Sequence, residues 1–281
     1  MPLVVTALVV GALAVVAVRH FDRSPGNSAT SAALLHQEAA VRNQAAAWVA
    51  QQVSQDGIVA CDRVMCAALT AHGFPSHDLL VLGPTSPDPV SSAVVVETAD
   101  VHFLFGSSLD TVWAPAVLAS FGSGTAGITV RVIAPHGAAA YQTALSADLA
   151  ARKTSGAALL NDPQITVPAL AGEQLAAGRV DSRLLLALAA LAGHQPINIV
   201  QFGNIGSGAG AGIPLRFADL AENDQAAHMA RAAYVRFVRA YLSTVSTKFR
   251  PARTVTVVLP TGQAVLRVEF TGPSPLGVFG P

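Results

Sequence analysis

The stretch Ile58-Val-Ala-Cys-Asp-Arg-Val-Met-Cys-Ala-Ala-Leu-Thr-Ala-His-Gly73 decides the fold class. Ile58–Ala60 is a short apolar run of strand length, and Val64–Ala71 has apolar residues at helical spacing before Gly73 closes it. Leu79–Leu82, Ala93–Glu97 and Ile128–Ile133 repeat the strand pattern, and Thr111–Phe121 is predicted as an intervening helix. Strands alternating with helices predict βαβ units on a largely parallel sheet, a Rossmann-like three-layer domain over residues 32–155. Ala138–Lys153 is a long helix leading out of that unit.

Towards the C-terminus the pattern changes to a smaller α+β domain over residues 156–271. Gly172–Gly178 carries a short helix, and Asp181 is placed to N-cap a helix over Ser182–Ala192 with Gly193 just beyond it. Ile197–Phe202 is a strand, followed by a glycine-rich loop over Gly203–Gly212 and by Leu215–Ala221. A helix over Gln225–Val245 precedes a hairpin of Thr254–Leu259 and Ala264–Phe270 around Pro260-Thr-Gly262. The Pro- and Gly-rich segment 272–281 reads as a loose tail.

Towards the N-terminus, Ala32–Val53 is an amphipathic helix, and Ser24–Ser31 is a short tether of small polar residues. Residues 1–23 read as a transmembrane anchor. Leu3–Val18 is an unbroken apolar run closed by Arg19, His20 and Arg23, and as a helix it would be about 24 Å long. Arg19 and Arg23 would hold the body in the cytoplasm by the positive-inside rule. The missing basic flank before residue 3 and the close pair Cys61 and Cys66 favour an extracytoplasmic body instead. The expected location is the cell membrane, single-pass, with the body outside.

Hydrophobic residues make up 52% of the chain, which excludes a disordered protein. Basic and acidic side chains number 17 each, so nucleic acid is not an expected partner. Gly122-Ser-Gly-Thr-Ala-Gly127 spells GxGxxG, yet it precedes a strand rather than a helix, the wrong polarity for a dinucleotide. The Gly203–Gly212 loop follows a strand but lacks the P-loop lysine, and Pro214 interrupts the helix that should begin there. It is nevertheless the loop best suited to a ligand, with Gly206, Ser207, Gly208, Arg216 and Asp219 as candidate binding residues. Cys61 and Cys66 have spacing that permits a disulfide, and otherwise they are two small buried thiols. With His72 and His77 they spell a zinc-like pattern whose central spacer is too short. The other histidines, His102 and His194 among them, are dispersed singly. No catalytic residue, metal site or cofactor is expected.

The Ala/Val-rich composition, the segment Cys61–Gly73 and the segment Val180–Leu186 resemble single-pass membrane proteins of high-GC actinobacteria, a group that implies no activity. His72-Gly-Phe-Pro75 is similar to a recurring stretch in extracytoplasmic α/β domains of membrane glycosyltransferases. The second half resembles the frame of zinc D,D-carboxypeptidase-type domains. Only Arg216 and Asp219 match that family's loop, and Gly203–Asp219 has no histidine. The resemblance therefore implies a site without zinc, used for binding or scaffolding. Together these features predict a membrane-anchored envelope protein with a non-catalytic binding or assembly role, towards envelope proteins or glycans. The alternative is an envelope hydrolase or transferase with its site near Gly203–Gly212, using Arg216, Asp219 or Glu222.

Overall fold

The computed structural model describes residues 25–85, 88–204, 206, 208–210, 212–221 and 231–280. The chain divides into residues 1–36, of which the described part is the start of helix α1 (Pro25–Gln52), and residues 37–281. The predicted anchor Leu3–Val18 lies outside the described residues. Among those described, no helix is long and apolar enough to cross a membrane. That corrects the expected fold class in its first element.

The second correction concerns the sheets. The body is α/β, built on two five-stranded mixed sheets rather than on a parallel Rossmann-like sheet followed by a small α+β domain. In the first sheet β1 (Val59–Asp62) lies between β2 (Leu79–Leu82) and β3 (Val94–Glu97), all parallel. Beyond β3 the sheet turns antiparallel, with β5 (Ile128–Val132) and then β4 (Ala116–Phe121) at the edge. The segment predicted as the helix Thr111–Phe121 is thus partly a strand. Pro115 cannot donate within a helix, and the short run after it is ambiguous by period until the β-branched β5 pairs with it. Gly122–Gly127 is the loop of this hairpin, with φ of +64° at Gly122 and +63° at Gly124. A Cβ at Gly122 would also lie 2.9 Å from Val41 Cγ2 of α1.

Helix α2 (Arg63–Ala71) starts at Asp62, whose carboxylate accepts from the Val64 and Met65 amides. It packs with the C-terminal part of α1 on one face of the sheet: Trp48, Val49, Met65 and Leu69 meet Val59, Val94 and Val96 there. A helix not foreseen from the sequence, α3 (Ala99–Phe105), is capped by Thr98 and joins Val101 to Ala60 and Val95 on the opposite face. Cys61 and Cys66 are bridged, with Cα atoms 5.5 Å apart, tying the end of β1 to the first turns of α2.

In the second half, α4 (Ala138–Leu160), α5 (Ala169–Ala176) and α6 (Ser182–Ala192) surround a sheet ordered β6-β7-β8-β10-β9. Its strands are β6 (Ile165–Thr166), β7 (Ile197–Gly203), β8 (Phe217–Ala221), β9 (Arg253–Val258) and β10 (Ala264–Glu269). Helix α7 (Arg231–Thr244) buries Tyr234, Val238 and Leu242 in the same core as Leu184, Leu188 and Ile199. Asp181 caps α6 through the Arg183 amide at 2.8 Å.

Charges are buried where the two halves meet. Arg216, 2% exposed, donates from Nη1 to the Gln52 carbonyl and from Nε to Asn204 Oδ1, and its guanidinium lies over the Trp48 ring. Burial pushes its pKa down to about 10, against a raising field from Asp181 and with a lowering one from Arg183. The segment expected to be loose is tied in here: the Gly272 amide bonds the Gln52 carbonyl at 2.6 Å, and Ser274 Oγ donates to Asp181. Burial alone would raise the Asp181 pKa, but bonds from the Arg183 side chain, Ser274 and the Arg183 amide outweigh it and hold it low.

A carboxylate whose folded pKa is depressed stabilises the fold fully above its unfolded value, and that contribution is lost as pH falls through the folded value. Glu269, whose pKa burial raises, runs the opposite way. Asp181→Asn is therefore expected to cost about 3–5 kcal/mol at neutral pH, since it strands the Arg183 charge. The gap to the native chain should narrow below about pH 3.9. Urea unfolding from pH 7 to pH 2.5 checks this, and a gap independent of pH would contradict it.

Candidate ligand crevice at the strand ends

Strands β1 and β3 are parallel neighbours, so Asp62 and Glu97 finish at the same edge of the sheet. The helices that follow them pack on opposite faces, which leaves an opening between the two strand ends. One bond braces it: Thr98 Oγ1 donates to Asp62 Oδ2 at 2.6 Å while Asp62 Oδ1 caps α2. The disulfide sits immediately behind Asp62.

Three adjoining hollows open here. One of about 670 Å³ runs between the start of α3 and the β4–β5 hairpin, lined by Glu97, His102, Phe103, Ser123 and Arg131 among others. A smaller one of about 200 Å³ reaches Arg42 and Asp62, and a third of about 630 Å³ lies on the β2 side of Phe103. The first is within the about 300–1,000 Å³ usual for small-molecule sites.

Its polar wall is a three-residue chain. Glu97 Oε1 lies 2.8 Å from His102 Nδ1, and Oε2 accepts from Arg131 Nε. Glu97 lies directly opposite Thr129 in the β3–β5 ladder, and Arg131 is opposite Val95, so the pair bridges diagonally on one sheet face. Arg131 is held further by the Ala114 carbonyl, 3.3 Å from Nη1. A carboxylate at Nδ1 fixes the imidazole as an Nδ1–H donor, which in the neutral ring leaves Nε2 as an acceptor. Glu97 and Arg131 are mostly buried, at 11% and 14%, whereas the His102 side chain is 60% exposed. Beside it the Phe103 ring is 89% exposed, although aromatic rings normally seek burial. Ser120, Ser123 and Thr129 line the same opening, and among the described residues their hydroxyls make no hydrogen bond to the protein.

The residues proposed from the sequence are placed elsewhere. Gly206 and Gly208 have φ of +80° and +108° and pack against Trp48 and Phe121, where Cβ atoms would come within 3.1 Å and 2.8 Å. The Gly208 carbonyl accepts from the Ser120 amide and the Gly210 amide donates to the Leu118 carbonyl, so this loop runs along the edge of β4. Ser207 and Glu222 lie outside the described residues. Arg216 points into the junction described above. Asp219 instead takes a bidentate bond from Arg267, at 2.7 and 2.8 Å, and one from Gln201. His194 packs on Tyr241, with ring centroids 4.7 Å apart. These groups do not converge. Among the described residues, no three His, Cys, Asp or Glu side chains are placed to hold a metal ion.

Glu97, His102, Phe103 and Arg131 were not singled out as a site from the sequence. The available signal was Arg131, a charge inside the apolar alternation Ile128-Thr-Val-Arg-Val132. No family model, curated protein or solved structure matches this chain.

Stability measurements separate the wall's framework from its exposed parts. His102→Ala and Phe103→Ala should each change unfolding free energy by no more than about 0.5 kcal/mol. Arg131→Met, which takes the guanidinium from the largely buried Glu97 carboxylate and leaves it only the His102 ring, should cost about 3 kcal/mol. Chemical denaturation of the three variants checks this, and a large loss for Phe103→Ala would make that ring a structural element.

Proposed function

We propose that this chain is an extracytoplasmic binding module of the cell envelope, and that it holds a small ligand without chemical turnover in the crevice at the ends of β1 and β3. The observation that carries the reading is the Glu97–His102–Arg131 chain, fixed on the wall of a roughly 670 Å³ opening beside an exposed aromatic ring. Donors and acceptors are set in position before any ligand arrives, which lowers the ordering cost of binding. The Cys61–Cys66 bridge supports an oxidising compartment and stiffens the floor next to Asp62.

Binding is favoured over turnover because, among the described residues, no hydroxyl or thiol at the site is bonded to His102. Nucleophilic catalysis needs a hydroxyl or thiol within hydrogen-bond reach of its base. Among the described residues, the bond that His102 makes is to Glu97, and the cysteines are bridged. A hydrolase or transferase centred on Gly203–Gly212 has less support, since Arg216 and Asp219 turn to different partners.

Two-dimensional NMR of the full chain against a library of several hundred soluble fragments tests the binding reading. Hits should perturb the resonances of His102, Phe103 and Ser123 together. No hits, or hits only on surfaces away from these residues, would contradict it. Alkylation of freshly isolated cells tests the compartment: Cys61 and Cys66 should resist labelling until a reductant is added.

A further inference from the structure

Resting on the binding reading above, we infer that the crevice accepts a neutral saccharide, with a pyranose ring stacked on Phe103 and its hydroxyls bonded to the Glu97–His102 wall. Three independent observations of the opening converge on that chemistry.

The first is charge. Glu38, Asp62, Glu97 and Asp100 line the adjoining hollows against Arg42, Arg63 and Arg131, so carboxylates outnumber guanidiniums at the mouth. The Arg131 charge is already matched by Glu97 and, at 3.9 Å, approached by Asp110. With Arg131 already committed to Glu97, the first hollow offers a phosphorylated or carboxylated ligand no free guanidinium to offset its desolvation. Nucleotides and anionic peptides fit poorly for that reason.

The second is the kind of polar group on offer. Ser120, Ser123, Thr125 and Thr129 supply neutral hydroxyls, and His102 supplies a ring nitrogen turned away from its carboxylate. Each hydroxyl both donates and accepts, as sugar hydroxyls do. A ligand carrying many such groups satisfies them without leaving a buried polar atom unpaired.

The third is the exposed ring. Phe103 follows His102 on α3 and faces both the first and the third hollow. A pyranose presents an apolar C–H face with polar groups at its rim. It can therefore cover an aromatic face while its hydroxyls reach the flanking side chains. A purely aliphatic ligand would cover Phe103 but strand the hydroxyls, and a small polar one would leave the ring wet.

The test is an NMR titration of the full chain with mono- to tetrasaccharides of neutral hexoses, pentoses and N-acetylhexosamines, alongside sugar phosphates and uronic acids. At least one neutral oligosaccharide is expected to shift His102, Phe103 and Ser123 saturably. Its phosphorylated or uronic counterpart should bind about tenfold or more weakly. Phe103→Ala should weaken the neutral ligand by a similar factor while the spectrum stays that of a folded protein.

Preference for the anionic sugars, or neutral binding untouched by Phe103→Ala, would overturn the inference. If only non-saccharide fragments shift these resonances, the ligand class is wrong and the binding crevice stands. If neither sugars nor fragments shift them, both fail.

Discussion

The buried Arg216 guanidinium is the constraint on which the rest of the body depends. It reaches back from the start of β8 to the Gln52 carbonyl at the end of α1, it holds Asn204 at the start of the glycine loop, and it covers Trp48. Around it the backbone closes further links, from Phe270 to the Arg216 carbonyl and from Gly272 to Gln52. Burying a cation this deeply is costly, and the depressed pKa of Arg216 reflects that cost. Gln52 and Asn204, from distant parts of the chain, take its Nη1 and Nε donors, while among the described residues Nη2 has no hydrogen-bond partner. Gly272 belongs to the same constraint, because a Cβ there would collide with Arg216 Nη1.

The consequence reaches the crevice through the glycine loop. Once Asn204 is held, residues 208–210 lie along β4, and the isolated bridge Ala119–Ala209 extends the first sheet by that contact. Strand β4 and its hairpin to β5 form one wall of the opening, including Ser120, Phe121 and Ser123. The other wall is set by the Thr98–Asp62 bond and by the disulfide. The loop that looked most like a binding element is therefore a brace, and the ligand groups stand on the elements it supports.

Much of the fold was legible from local signals. Asp181 before an apolar helical run, Asp62 before Val64–Ala71, and the hairpin around Pro260-Thr-Gly262 each carry their cause within a few residues. The cysteine spacing was compatible with the bridge that forms. What escaped depends on distant pairing. Glu97 and Arg131 are 34 residues apart and meet because β5 runs antiparallel to β3, whereas alternating strands and helices suggested a parallel sheet. Ala116–Phe121 has no decisive period, so only its partner strand makes it a strand. Arg216 and Asp219 are near in sequence and carry opposite charges, but they make separate bonds, to Gln52 and to Arg267. The three-residue spacing that would place them together on a helix does not do so on extended chain.

The central claim is that both sheets and the loop between them form one cooperative body that presents a preformed crevice. Native-state hydrogen exchange of the Ser120 and Gly210 amides tests it most directly, since these donate to Gly208 and Leu118 across the contact. The account predicts that both exchange only with global unfolding, as slowly as amides inside the β3–β5 ladder. Rapid exchange of these two amides beside slow exchange in the ladder would show that the loop opens independently of the sheet, and would contradict the account.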